Sequence, residues 1–413
     1  MIIATEVATR LAAAQAADGG AFPVAFFVIA FVKLFIVFNV IMVGVALITW
    51  LERRVCAWMQ DRLGPNRVGP FGLLQPAADG LKNLLKEETY PATADRWLFV
   101  LAPMISFVPA LLTFAVIPFA SPLPTKWGEV SMVVADLPVG FLYILAISSL
   151  GVYGIVLAGW SSNNKYALLG GLRASAQMVS YEIAMGMSTV AVLLLMGNVT
   201  LSDVVARQQG SIVQWNVFPL TLAFFIFIVA AFAETNRVPF DLPEAEGELV
   251  AGYHSEYSSM KFSMFIIAEY SNMVTASALM ATLFFGGWDI PFWARDNQGG
   301  GPWTWWLTAL TAAMFFVKVF FFIFLYIWVR WTLPRFRYDQ LMALGWKVML
   351  PLALLYLTVV ATAIWYLHDR LGWAYDSRFS LVMFGVNLAL AVPLFLVLDR
   401  GRLVAGSVEE GRA

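Results

Sequence analysis

The fold this sequence predicts is all-α: a polytopic transmembrane helical bundle of about nine spans, with amphipathic helices on the cytoplasmic surface. Three observations predict it. Of 413 residues, 60% are apolar and 13% charged, whereas a soluble domain is nearer half apolar and a quarter charged. The apolar residues gather into runs of roughly 20, enough to cross a hydrocarbon layer. Lys and Arg concentrate in alternate connections, as cytoplasmic loops do.

The whole chain, 1–413, reads as a single integral membrane domain. Residues 1–22 resemble a leader, but Thr5, Glu6, Arg10 and Gly19 break their apolar character, so they read as a retained terminal segment. Spans are expected near 23–51, 97–120, 137–160, 174–197, 217–235, 259–286, 303–330, 348–367 and 380–399. Trp97, Trp127, Trp160, Trp288, Trp303, Trp305 and Trp306 crowd their ends, where amphipathic rings favour the membrane–water interface. Arg53, Arg54, Arg62, Arg67, Lys82, Lys86, Lys165, Arg173, Arg237, Lys261, Arg330, Arg335, Arg337 and Lys347 fall in one set of connections. Only Arg10, Lys126, Arg207, Arg295, Arg370 and Arg378 fall in the other. The rich side is expected in the cytoplasm, with the N-terminus outside and the C-terminus inside.

Between the first two spans, 52–96 forms a cytoplasmic connection. Gly64, Pro65, Asn66, Gly69 and Pro70 punctuate a turn. Leu73, Leu74, Ala77, Ala78, Leu81, Leu84 and Leu85 then recur at helical spacing, opposite Asp79, Lys82, Lys86 and Glu87. That pattern predicts a helix lying on the membrane surface. Residues 334–347 are a second polar cytoplasmic connection, and 121–135, 198–216 and 287–302 read as loops on the other side. No internal repeat supports an inverted-repeat transporter.

Composition excludes several chemistries. A single cysteine, Cys56, rules out an internal disulfide, a CxxC zinc site and cysteine-ligated clusters. Two histidines, His254 and His368, leave little means of holding a haem. No basic tract points to nucleic acid.

The chemistry-bearing residues are acids. The acidic cytoplasmic loop 236–258 and its flank carry Glu234, Asp241, Glu244, Glu246, Glu248 and Glu256, interleaved with Val238, Phe240, Leu242, Leu249 and Val250. A charge run alone reads as a solvated loop; the interleaved apolar residues argue against simple solvation. Closely spaced carboxylates also resist joint ionisation, which suits proton exchange near neutrality. Glu182 and Glu269 sit within spans beside Gln177, Ser180, Tyr181, Tyr270, Ser271 and Asn272. A carboxylate at that depth costs a few kcal/mol unless paired or hydrated, and the polar neighbours suggest relay stations. Lys33 can snorkel; Lys318 lies deeper, where a structural pair is the alternative to function. Arg53, Arg54, Arg62, Arg67, Arg335, Arg337 and Asp339 either enforce topology and bind lipid phosphate or form a docking face.

The blocks ERRVCAWMQDRLGPNRVGPFGLLQPAADGLKNLLKEE, LRASAQMVSYE, AETNRVPFDLPEAEGELVAGYHSEYSSMKFSMFIIAEY and PRFRYDQLMALGWK together resemble one family. It is the H-type membrane component of bacterial respiratory complex I, the proton-pumping NADH:quinone oxidoreductase, equivalent to the mitochondrially encoded subunit 1. The resemblance covers about 30–365. It implies a non-redox membrane subunit with quinone as substrate, and FMN and iron–sulfur clusters in partner subunits. Implied partners are the soluble iron–sulfur and quinone-site subunits, small membrane subunits, antiporter-like subunits and membrane lipid. Quinone access would run between 30–51, 259–286 and 70–88. Carried over residue by residue, the quinone cavity and its access would use Arg53, Arg62, Arg173, Arg237, Phe240 and Arg337. The proton relay would use Glu182, Glu234, Asp241, Glu244, Glu246, Glu248, Glu256 and Glu269; no catalytic or metal-ligating residue is implied. The setting would be a bacterial inner membrane. The span after residue 370 lies beyond the family's usual eight, and the tail AGSVEEGRA has no counterpart. Competing readings are the equivalent subunit of an energy-converting hydrogenase, which needs no quinone doorway, a stand-alone transporter and a structural anchor.

Overall fold

The structure, a computed structural model, describes residues 24–125, 128–197, 199–242, 252–293 and 302–399. It is a polytopic helical membrane protein. Among the described residues, eight helical stretches are long and apolar enough to cross a membrane.

Helix α1, Val24–Met59, has 36 residues and so spans about 54 Å, well beyond a hydrocarbon layer of roughly 30 Å. Apolarity alone placed its end near residue 51; the helix continues through Glu52, Arg53 and Arg54. The reason lies in its buried stripe of Ile41, Val45, Ile48, Glu52, Val55 and Cys56, spaced at the helical repeat. Glu52 belongs to that stripe and finds its counter-charges inside the bundle. The rest of α1 turns Phe31, Phe35 and Val43 outward.

The turn after α1 needs glycine at residue 72. Its φ is +76°, and a Cβ there would lie 2.3 Å from the Pro65 carbonyl oxygen. Helix α2, Gln75–Leu85, buries none of its own residues, and Leu81, Leu84 and Leu85 face outward. An exposed apolar face beside a polar one suits a membrane surface. Its polar face is tied down: Arg53 pairs with Asp79 at 2.7 Å, and the Asn83 amide donates to Ser263 Oγ at 2.7 Å.

Helix α3, Arg96–Leu112, starts at an Asp95 cap that accepts from the Trp97 and Leu98 amides. The segment after it, expected as a loop, folds into an antiparallel hairpin of β1, Ala120–Thr125, and β2, Gly128–Met132. Thr311 Oγ1 accepts from the Ser121 amide and Thr308 Oγ1 donates to the Pro122 carbonyl, so partners from a later helix draw the strand out. Helices α4, Gly140–Ser161, and α5, Lys165–Met196, form a hairpin whose turn is capped by Asn164 on the Tyr166 amide. Where 198–216 was expected as a loop, a short helix α6, Leu201–Gln208, forms. Helix α7, Thr221–Glu234, has 14 residues, or about 21 Å, too short to span alone; it is packed amid α5, α8, Ser259–Phe284, and α11, Leu350–Ile364. Helices α9, Trp305–Thr332, and α10, Tyr338–Ala343, precede α11, and α12, Ser377–Asp399, closes the order.

Helices in lipid gain little from burying apolar surface, because lipid tails are equally apolar; close packing must hold them. Here α3, α4 and α5 approach across small residues: a Cβ on Gly154 would meet the Ser106 amide at 2.8 Å, and one on Gly159 the Ala167 carbonyl at 2.6 Å. On the other side, Phe224, Phe284, Phe285 and Phe322 interlock, three pairs edge-to-face and one tilted, at 5.1–6.2 Å. Lys318, an open question in the sequence, serves the fold. Its ammonium donates to the carbonyls of Phe285, Gly287 and Asp289 at 2.6–3.0 Å, closing the end of α8, and lies 4.3 Å from the Trp215 ring. Lys33 donates to the Val133 carbonyl at 3.3 Å, tying α1 to the hairpin.

Candidate functional site

Four distant parts of the chain meet toward the basic end of the bundle: the last turns of α1, the segment 236–241 after α7, the middle of α8 at Glu269 and Tyr270, and the last turn of α9. The segment is shaped by Gln177, fully buried on α5. Its Nε2 lies within hydrogen-bond distance of the carbonyls of Ala233 (2.8 Å) and Phe240 (2.9 Å) and of Asn236 Oδ1 (3.0 Å). One amide thus folds the exit of α7 into a tight turn and aims Arg237 inward.

Arg237 is 7% exposed. Its Nε stands 2.6 Å from Glu269 Oε1, its Nη1 donates to Glu52 at 3.3 Å, and its guanidinium lies 4.3 Å from the Tyr270 ring. Burial pulls the guanidinium toward neutrality; Glu269 and Glu52 outweigh it and hold the proton well above the ordinary arginine range. Glu52 is also bound by Arg330 and accepts from the Tyr270 hydroxyl at 2.6 Å. The buried carboxylate of Glu52 and the half-buried one of Glu269 therefore share two arginines and a phenol. Such a cluster persists only because every member is paired.

These residues line a cavity of about 760 Å³ with Arg53, Arg62, Asp241 and Arg335. Asp241 accepts from Arg335 at 2.9 Å, yet burial pushes its carboxyl above the usual range despite the charges of Arg335, Arg330 and Arg237. Adjoining it, an apolar groove of about 770 Å³ runs between α1 and α9, bordered also by Leu73 and by Val274 of α8. A second small void, about 30 Å³, is lined by Glu234, Glu269, Asn236, Tyr253 and Asn272. Beyond it, Glu234 lies within electrostatic reach of Glu182 and faces the Ser148 hydroxyl.

Arg53, Arg62, Arg237, Asp241 and Glu269 thus converge on one cavity, while Glu234 and Glu182 continue from it. Phe240 is buried behind the wall, between Tyr181 and Phe336, with ring centroids 5.7 Å away on each side. Arg173 and Arg337 stand outside: Arg173 lies 5.6 Å from the Tyr338 ring, and Arg337 pairs with Asp339 on the surface. Glu256 is set apart as well, accepting from Asn164 at 2.7 Å beside the α4–α5 turn. There Tyr257 stacks on Phe99 at 4.0 Å, and burial pushes its hydroxyl up to about 12. Glu244, Glu246 and Glu248 lie outside the described residues. Sequence reasoning did not place Glu52 or Arg330 in the site and took Tyr270 only as a polar neighbour of Glu269. The available signal was the stripe of Ile41, Val45 and Ile48, which continues onto Glu52.

Residues 32–361 match the protein family described as NADH dehydrogenase. The chain belongs to the NADH dehydrogenase family. It is 49% identical over 328 residues to the H 1 subunit of NADH-quinone oxidoreductase from Cytophaga hutchinsonii, covering 79% of this chain and 94% of that one. The H 1 subunit of NADH-quinone oxidoreductase from Geobacter metallireducens is 51% identical over 330 residues, with 79% and 94% covered. The H-type component of the same enzyme from Thermomicrobium roseum is 52% identical over 328 residues, with 78% and 92% covered. The region shared with the family contains the whole cavity wall; α12 falls beyond it.

Proposed function

We propose that the chain is the membrane subunit of a proton-pumping NADH:quinone oxidoreductase. In this reading it forms the quinone cavity and its access path, and couples quinone reduction to proton translocation through buried carboxylates. One observation carries this: Arg237 held between Glu52 and Glu269 on the wall of a 760 Å³ cavity. The apolar groove beside it, bordered by α1, α8 and the approach to α2, suits an isoprenoid tail.

Reduction of a quinone to a quinol takes two electrons and two protons. Electrons arrive from outside this chain, from iron–sulfur clusters that, like FMN, reside in soluble partner subunits. Negative charge growing on the headgroup competes for Arg237, Arg330, Arg53 and Arg62. As Arg237 turns toward it, Glu269 loses its counter-charge and takes up a proton. The small void toward Glu234 and then Glu182 offers the onward path, leading to small membrane subunits and antiporter-like subunits. The acids of 244–248 and Glu256 belong to the same responsive connection, and Arg173 and Arg337 face the soluble partners. The orientation follows the basic connections once α7, buried among its neighbours, is counted as a crossing beside the eight long stretches: N-terminus periplasmic, C-terminus cytoplasmic, in a bacterial inner membrane.

The test is made in the assembled complex, with quinone reductase activity and proton pumping measured together. Glu182→Gln and Glu269→Gln are each expected to lower pumping at least about tenfold, as loss of a proton-transfer group does. Unchanged reduction and unchanged pumping in both variants would sink the relay.

A further inference from the structure

At the opposite end of the bundle, we infer a binding site for a phospholipid head group that carries both a phosphate and an N–H or O–H donor. A pocket of about 280 Å³ opens there between the end of α5 and the start of α12. Arg207 on its wall is exposed and enters none of the ion pairs among the described residues, although the Asp369 carboxylate, like Arg207, lies within electrostatic reach of Tyr375. Tyr375 and Ser380 share the wall; the Ser380 amide donates to the Asp376 carbonyl, but Phe379, one residue earlier in the first turn of α12, belongs to the part of a helix whose N–H groups lack an intrahelical acceptor and favour an anion. These groups suit a phosphate.

A second observation asks for more than an anion. Asn216 also lines the pocket and is fully buried; its Nδ2 donates to the Leu283 carbonyl, while its Oδ1 has no partner among the described residues. A buried acceptor left unpaired costs free energy, and the phosphodiester of a lipid, which has no O–H, cannot satisfy it. An ammonium or hydroxyl on the same head group can. Leu195 and Phe379 supply apolar walls, and exposed Trp365, Tyr366 and Trp373 stand nearby in the chain. Such rings mark the level of lipid head groups, which makes a membrane lipid rather than free phosphate the occupant. Tyr375, Phe379 and Ser380 lie outside the stretch shared with the family, so the site depends on this chain's additional helix.

The full-length chain, delipidated in detergent, is offered phosphatidylethanolamine or phosphatidylcholine with identical acyl chains, and bound lipid is counted by native mass spectrometry. Choline has no N–H, so the ethanolamine lipid should be retained about fivefold better, the worth of one hydrogen bond. Arg207→Gln, at an exposed position, should weaken retention of both. Asn216→Leu should abolish the preference; should that variant fail to fold, the comparison on the unaltered chain stands by itself. Equal retention of the two lipids, retention unchanged in Arg207→Gln, or displacement of lipid by millimolar inorganic phosphate would each overturn the inference.

Discussion

Arg237 joins the two carboxylates at the heart of the cavity wall. It neutralises Glu269 and shares Glu52 with Arg330. Arg237→Met is expected to lower stability by about 3–5 kcal/mol, the usual result of stranding a buried charge. Arg237→Met combined with Glu269→Gln should lose distinctly less, because the stranded charge is gone. Thermal unfolding of the solubilised chain, read as a double-mutant cycle, checks both. The sequence made Arg237 and Glu269 legible as separate candidates, an arginine in an acidic connection and a glutamate inside a span. It did not make their pairing legible. Glu52 was harder still: at the end of an apolar run a charge reads as a topology marker, and its partners are 185 and 278 positions away.

At the scale of elements, hydropathy located the long helices, but apolar spans are not helix lengths, and α1 continues where tertiary partners neutralise a polar group. Helix α1 runs past residue 51 because Arg237 and Arg330 answer Glu52; the β-hairpin appears because Thr308 and Thr311 answer its backbone. The surface helix α2 was legible from its leucine spacing, though its attachment was not. Asn83 reaches Ser263, Ser259 Oγ donates to the carbonyls of Asn83 and Lys86, and Lys261 pairs with Glu88 at 2.8 Å. Asn83→Ala with Ser259→Ala should therefore speed hydrogen exchange across α2 at least about fivefold, leaving α4 and α5 unaffected. The Lys261 hydrogen bond holds the Glu88 carboxyl below the usual range. A depressed acid contributes stability above the ordinary carboxylate value and loses it as pH falls through the lowered one. Because Glu88 is largely exposed, the effect is expected below about 1 kcal/mol, and Glu88→Gln should flatten it in a pH series of unfolding midpoints.

Taken as a whole, the molecule is a family bundle with a helix added. Asn387 of α12 accepts from the Tyr356 hydroxyl and the Leu222 amide and donates to the Pro219 carbonyl. It thereby closes the start of α7, a helix too short to place both its ends in water. Asn387→Leu should cost about 2–3 kcal/mol, since it orphans buried backbone groups. Removing 373–413 should likewise lower the unfolding midpoint, yet leave quinone reduction by the assembled complex within about twofold, because the truncation removes no cavity residue and one such factor is under 1 kcal/mol. Loss of reduction at unchanged assembly would show that the added helix shapes the cavity.

Both feet of the connection between α7 and α8 stand on the same helix. Gln177 grips 233–240, and Gly170 presses against Gly252 so closely that a Cβ would sit 2.9 Å from its carbonyl carbon. Seven residues of helix separate these footholds by about 10 Å, and a straight helix keeps that spacing constant. The two ends of the connection are thus moored to one rod at a fixed distance, so any shift or rotation of α5 carries both together.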